Sequence, residues 1–206
     1  MDIARYIDYT NLKQEATKED IVKLCQRAKE EKYYSVCVNP SYVSLAKKQL
    51  EGSDVKVAAV IGFPLGQNVP AIKAAEAAVC VSDGADELDM VINVGALKDG
   101  LTNFVLEDIK GVVNAGVPVK VILETAKLTD SEIALATELA VKAGAAFIKT
   151  STGFMGEGAT EHAVAYMVKC AAGRIKVKAS GGIRTVEAAK RYIELGAERI
   201  GASNLS

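Results

Sequence analysis

Short apolar runs alternate along this chain with longer segments in which small and apolar side chains recur at helical spacing. Five times a helical run ends in glycine, two or three residues intervene, and a β-rich run begins. Gly84-Ala85-Asp86 precedes Glu87–Ile92, Gly116-Val117-Pro118 precedes Val119–Leu123, and Gly144-Ala145-Ala146 precedes Phe147-Ile148-Lys149. Gly173-Arg174 precedes Ile175–Lys178, and Gly196-Ala197-Glu198 precedes Arg199-Ile200-Gly201. Glycine suits such a place because it accepts the left-handed backbone that ends a helix. Thr17 before Lys18-Glu19-Asp20, and Thr129 before Asp130-Ser131-Glu132, are capping-box patterns; Asn39-Pro40 offers a cap followed by proline at the first helical position.

Strands are predicted over residues 6–9, 35–38, 56–61, 87–92, 118–123, 146–150, 175–179 and 198–201, with seven intervening segments long enough for a helix. Alternating strand and helix predicts an α/β fold. Eight units favour a closed (β/α)8 TIM barrel over an open doubly wound sheet, and no GxGxxG follows the first strand. A single domain spanning 1–206 is expected, compact beside the ~250 residues usual for this barrel. Because Ser206 follows the eighth strand so closely, the final helix is expected to be short or missing. That would leave apolar surface on the first and eighth strands, to be covered by a partner subunit or by Met1 to Arg5, hence the expectation of a homodimer.

Side chains alternate between the two faces of a strand. If Leu88, Met90 and Ile92 face the helices, Asp89 points into the barrel; Ile148 outward places Lys149 inward; Val177 and Ala179 outward place Lys176 and Lys178 inward. The same alternation admits Lys120 and Glu124 to the interior. A lysine in an apolar strand is costly to bury unless it is paired or its lowered pKa is useful. Beside a second cation, in a dry pocket, it is partly a free amine, able to attack a carbonyl and form a Schiff base. The plainer alternative is a buried salt-bridge network of Asp89, Lys149 and Lys178 that only fixes the barrel. Function is favoured because all three lie near the strand ends that carry active sites in this fold, with small-residue loops next to the lysines.

Composition removes other classes. The formal net charge is −1, and tryptophan is absent, so neither a nucleic-acid partner nor a membrane surface is expected. Met1-Asp2-Ile3-Ala4-Arg5 has no apolar stretch of the kind a signal peptide carries, so none is expected. Cys25, Cys37, Cys80 and Cys170 form no CxxC and read as reduced thiols of a cytoplasmic protein, and the lone His162 gives no basis for a metal site. No cofactor is expected. Loops after the seventh and eighth strands are the usual phosphate site of this fold, which makes Gly181, Gly182, Gly201 and Ser203 candidates, joined by Thr150, Ser151 and Gly153. Arg184 reads equally as a phosphate ligand or a solvated residue. Asp8 and Thr10 at the end of the first strand reach toward the mouth, and Cys37 reads first as a small core residue.

Several blocks then match a known family in order and spacing: Ile7-Asp8-Tyr9-Thr10, Ser35–Pro40, Val60–Gly66, Gly84–Asn93, Lys120–Thr125, Phe147–Phe154 and Lys178–Thr185. Over nearly its whole length the chain resembles the deoxyribose-phosphate aldolases. The resemblance implies a class I aldolase, needing no metal, that reversibly cleaves 2-deoxy-D-ribose 5-phosphate to D-glyceraldehyde 3-phosphate and acetaldehyde. It implies that Lys149 forms the Schiff base, Lys178 lowers its pKa, Asp89 moves protons through a bound water, and Cys37 lies near the site and can trap reactive aldehydes. Two departures, Tyr9 and Ala126, fall at positions that are not catalytic in the family; the short C-terminus is a larger one. The alternatives are another Schiff-base barrel enzyme with a different aldehyde or keto acid, and a non-catalytic barrel that binds sugar phosphates.

Overall fold

A computed structural model describes Asp2 to Leu205; Met1 and Ser206 lie outside the described residues. Eight strands form a closed barrel in sequence order: β1 (Ile7–Asn11), β2 (Ser35–Val38), β3 (Lys56–Ile61), β4 (Glu87–Val91), β5 (Val119–Ile122), β6 (Phe147–Lys149), β7 (Lys176–Ser180) and β8 (Arg199–Ala202). Every pair is parallel, and β8 returns to β1 with Asp8 opposite Gly201. Between them run α1 (Lys18–Glu30), α2 (Val43–Gln49), α3 (Pro70–Ser82), α4 (Val94–Lys98), α5 (Thr102–Val113), α6 (Asp130–Ala143), α7 (Glu161–Ala171) and α8 (Val186–Glu194). This is the (β/α)8 barrel that the strand count predicts, with α4 as an extra turn after β4.

The local signals act as the sequence indicates. Thr17 and Thr129 cap α1 and α6 through complete capping boxes with Asp20 and Glu132. All five strand-preceding glycines take positive φ, from 72° at Gly173 to 106° at Gly196. Asn39 behaves differently: Pro40 opens a 3₁₀ turn, Pro40–Tyr42, in which the Asn39 side chain makes no capping bond, and α2 starts only at Val43.

No helix follows β8 among the described residues. The expected bare surface on β1 and β8 is nonetheless not found. Leu205 is buried in the core, and Ile3 and Ala4 are partly buried against it, while no large apolar side chain of β1 or β8 is exposed among the described residues. The exposed large apolar side chains among the described residues lie elsewhere: Leu65 and Val69 before α3, Ile72 and Val79 on it, Leu101 and Phe104 at the start of α5, Leu135 on α6, and Phe154 after β6.

The core is the layer between barrel and helices. Leu88, Met90, Ile92, Val121 and Ile148 face it and are fully buried, each contributing about 1.5–3 kcal/mol by leaving water. Inside the barrel the apolar filling is small, a cluster of Leu12, Cys37, Ala58 and Val60 with Phe63 against it. The rest of the lumen is charged. A separate buried ion pair braces the wall: Lys73 of α3 donates to Asp108 of α5 at 2.5 Å and to the carbonyl of Val91 at the end of β4 at 2.9 Å.

Candidate active site

Among the described residues, seven acidic and basic side chains occupy the lumen: Asp8 (β1), Glu87 and Asp89 (β4), Lys120 (β5), Lys149 (β6), Lys178 (β7) and Arg199 (β8). Asp89 is the hub. Its Oδ1 accepts from Lys120 Nζ at 2.8 Å, and its Oδ2 accepts from Lys149 at 2.8 Å and from Lys178 at 2.7 Å. Lys178 also reaches Asp8 Oδ2 at 2.5 Å, and Lys120 reaches Glu87 Oε2 at 2.6 Å. Parallel pairing explains the convergence, since Lys149 and Lys178 are register partners, as are Asp89 and Lys120. Ser35 adds a hydroxyl donor to Asp8 Oδ1 at 2.7 Å.

These neighbours decide who carries a proton. Burial opposes ionisation of Asp89, but Lys120, Lys149 and Lys178 outweigh it and hold the carboxyl well below its ordinary range. Asp8 is depressed likewise by Lys178, Lys120 and Arg199 against the cost of burial. Lys178 is pulled the other way: burial disfavours its ammonium, yet Asp8 and Asp89 together raise its pKa. Lys149 has only one carboxylate. Burial lowers its pKa, the Lys178 ammonium lowers it further, and Asp89 only partly compensates. Of the two amines, Lys149 is therefore the one disposed to be free.

Lys149 is also the one network member that opens onto the cavity. A cleft of about 570 Å³ lies at the C-terminal ends of β1, β6, β7 and β8, lined by Thr10, Lys149, Gly153, Gly181, Gly182, Gly201 and Ser203 among others. Lys13, Lys23, Arg27 and Arg184 line it too, with Asp20 as the only carboxylate among the described residues of its wall, so the mouth favours an anion.

Most predicted residues meet here, and some do not. Lys149, Lys178 and Asp89 form one cluster, with Asp8 beneath. Cys37 is fully buried in the lumen; burial pushes its thiol up to about 11, with Asp89 adding to that, so it is protonated at neutral pH. Thr10 faces the cavity, but its hydroxyl donates to the Asp8 carbonyl. Thr150 and Ser151 sit beneath the cavity and not on its wall. The Thr150 hydroxyl is tied to the Ser180 backbone, donating to its carbonyl at 2.9 Å and accepting from its N–H at 3.0 Å, and the Ser151 carbonyl accepts from the Ser180 hydroxyl. Lys176 does not point into the lumen. As the first residue of β7 it lies at the open N-terminal rim, exposed, with its ammonium 5.6 Å from the Phe147 ring centre. Glu124 is buried as expected, though beyond the end of β5. It accepts from the Thr152 N–H and hydroxyl and so pins the loop after β6.

Two features escaped the sequence reading. Arg199 and Glu87 belong to the buried network, bonded to each other at 2.9 Å; the inward alternation that locates Lys149 would have located both. Gly158 packs so tightly on Gly181 that a Cβ there would lie 2.1 Å from the Gly181 carbonyl oxygen, which accepts from the Ala159 N–H at 3.0 Å. Gly201 has a similar constraint, for a Cβ would lie 2.8 Å from Ser180 Cβ and 3.2 Å from Lys178 Cε.

Comparison with known proteins bears on the family and the fold. A family model described as DeoC/LacD family aldolase matches residues 3–205. The chain is 55% identical over 205 residues to a deoxyribose-phosphate aldolase of Macrococcus caseolyticus, covering 98% of this chain and 93% of that protein. It is 56% identical over 210 residues to one of Thermococcus gammatolerans, covering 99% and 93%. Among solved structures, a tetrameric deoxyribose phosphate aldolase from Aeropyrum pernix superposes with a TM-score of 0.90 at 34% identity, covering 98% of this chain and 86% of that one.

Proposed function

The chain belongs to the DeoC/LacD aldolase family, and from that premise we propose that it is a deoxyribose-phosphate aldolase, a class I lyase that works through a Schiff base on Lys149. The observation that carries the assignment of roles is the shared Asp89 carboxylate, which brings two lysines of opposite proton preference to one point at the floor of an anion-favouring cleft.

The free amine of Lys149 attacks the C1 aldehyde of open-chain 2-deoxy-D-ribose 5-phosphate, and loss of water leaves a protonated imine. A base takes the proton of the C3 hydroxyl, the C2–C3 bond breaks, and its electron pair moves into the imine to give an enamine. D-Glyceraldehyde 3-phosphate leaves. Protonation of the enamine at C2 and hydrolysis release acetaldehyde and restore the amine. Asp89, an acceptor already against the Lys149 nitrogen, serves these proton transfers through a water. Lys178 stays cationic, disfavours a second ammonium beside it, and keeps Lys149 nucleophilic.

The phosphate is held at the far side of the cleft by backbone N–H groups of Gly182 and Ser203, with Gly153, Gly181 and Gly201 keeping the backbone bare enough for close approach. The reading includes a cytoplasmic protein acting in deoxyribose phosphate catabolism, without cofactor. It also includes a homodimer built on the apolar stripe of Leu65, Val69, Ile72 and Val79. No helix among the described residues is long and apolar enough to cross a membrane. The chemistry is tested by borohydride reduction in the presence of acetaldehyde. An ethyl group should appear on the peptide containing Lys149, and an ethyl group on any other lysine alone would overturn the assignment.

A further inference from the structure

The charged ladder continues past the lysines to the opposite, N-terminal rim of the barrel, where Arg199 closes it. Arg199 is 5% exposed, and its guanidinium lies 3.5 Å from the ring centre of Tyr34 and 5.1 Å from that of Phe147. Its Nη1 donates to Asp8 Oδ1 at 2.8 Å and to Glu87 Oε2 at 2.9 Å. Two contact routes therefore join the rim to the nucleophile. One runs from Arg199 through Glu87, Lys120 and Asp89 to Lys149; the other passes through Asp8, Lys178 and Asp89.

Counted as ions, the ladder holds four cations, Lys120, Lys149, Lys178 and Arg199, against three carboxylates, Asp8, Glu87 and Asp89. An uncompensated buried charge is expensive, and the balance closes only if one cation loses its proton. Arginine keeps its proton in proteins. Lys120 touches Glu87 and Asp89 with Asp8 at 3.6 Å, and Lys178 touches Asp8 and Asp89, but Lys149 touches Asp89 alone. The amine with fewest carboxylates is the one that yields.

We propose that the Arg199–Glu87 ion pair at the far rim is a positioning element for the reaction: Arg199 supplies the surplus buried cation that leaves Lys149 as a free amine, and Glu87 limits that surplus. The inference rests on Lys149 being the Schiff-base lysine. Charged or ionisable groups facing Lys149 are Asp89 from β4, Lys178 from β7 and Cys37 from β2. Those facing Arg199 are Asp8 from β1, Glu87 from β4, Lys120 from β5 and the Tyr34 ring ahead of β2. Residues at this rim of a barrel ordinarily serve stability alone. Here the low-dielectric lumen carries their charge to the site.

A clamp that serves only stability and a charge-setting pair predict different signs. Arg199→Met leaves three cations and three carboxylates, so every lysine can keep its proton. The acid limb of kcat/KM should move to higher pH, by about one unit or more. Glu87→Gln enlarges the surplus and should move the limb to lower pH. The double variant, with one charge of each sign removed, should return near the parent. Arg199→Lys keeps the charge while losing the flat stack on Tyr34, and its limb should stay in place. The pH dependence of borohydride trapping with acetaldehyde reads the same group without full turnover. Limbs that do not move, or that move the same way in both single variants, would overturn the proposal. If Arg199→Met does not fold, the near-isosteric Glu87→Gln decides alone: an unmoved or upward limb rejects the pair. Absence of the label from the Lys149 peptide of the parent protein would instead reject the assignment of the nucleophile.

Discussion

Lys149 and Lys178 donate to the same oxygen, Oδ2 of Asp89, at 2.8 and 2.7 Å. Two ammonium groups on one oxygen repel each other, and the second contact of Lys178 with Asp8 decides which one keeps its charge. The division of labour between the amines is thus a property of their partners, since the side chains themselves are identical.

Replacing Lys149 by alanine should remove the nucleophile and lower kcat by about 10⁴-fold or more. The fold should survive, because Asp89 retains Lys120 and Lys178. Activity assays and circular dichroism on the purified variant check both parts, and near-parent turnover would exclude Lys149 from the chemistry.

Lys178→Leu should shift the acid limb of kcat/KM to higher pH. The sign follows from the loss of a cation that holds the Lys149 pKa down: with Lys178 gone, a proton on Lys149 costs less, and a higher pH is needed to free the amine. Asp8 also loses its closest partner, so a stability loss of about 3–5 kcal/mol is expected in denaturant titration. A pH profile superposable on the parent would restrict Lys178 to a structural role.

Acid should unfold the protein over a defined pH range. Asp8 and Asp89 have folded-state pKa values depressed below their unfolded ones. Their contribution is complete above the unfolded value of about 3.9 and is lost as pH falls below it toward the folded values. Denaturation midpoints measured between pH 6 and pH 2.5 should fall mainly below pH 4, and asparagine at position 8 should flatten that fall.

The cleft predicts a strong preference for a phosphorylated sugar. Unphosphorylated 2-deoxyribose should show a kcat/KM lower by about a hundredfold or more, since charge-assisted bonds contribute about 1.5–3 kcal/mol each. Inorganic phosphate and sulfate should compete with substrate. Equal kcat/KM for the two sugars would place the phosphate outside this cleft.

Self-association through the α3 stripe can be read by light scattering over a dilution series. The parent should remain a dimer at micromolar concentration, whereas Ile72→Lys combined with Val79→Lys should give a monomer with its acid limb unchanged. A monomeric parent, or a double variant that stays dimeric, would remove this face as the interface.

The fold was legible because its signals are local. Capping threonines, helix-ending glycines and short apolar runs place all eight strands within two residues of the observed ends. Asp89, Lys149 and Lys178 were legible because each is flanked by outward apolar neighbours, which fixes the direction of the charge. Lys176 was misplaced because alternation gives a direction and not a depth, and the first residue of β7 lies where the lumen meets solvent. Thr150 and Ser151 looked like ligands by residue type; only the register shows the Thr150 hydroxyl committed to Ser180. Of the two covers expected for the apolar surface of β1 and β8, a partner subunit or the residues before β1, the described residues show Ile3 and Ala4 packed on the core, with Leu205 buried in it as well.

Gly201 carries a consequence for anyone reading variants of this protein by activity. It lies within β8, although the sequence assigns it to a phosphate loop after that strand, and its missing Cβ is the space beside the Lys178 stem. Alanine there would displace an amine on the neighbouring strand while leaving both lysines in the sequence. A dead Gly201→Ala would thus imitate a lost phosphate contact, and only a shifted pH profile would reveal that the damage was electrostatic. A mutational map of the site scored on turnover alone would draw its boundary in the wrong place.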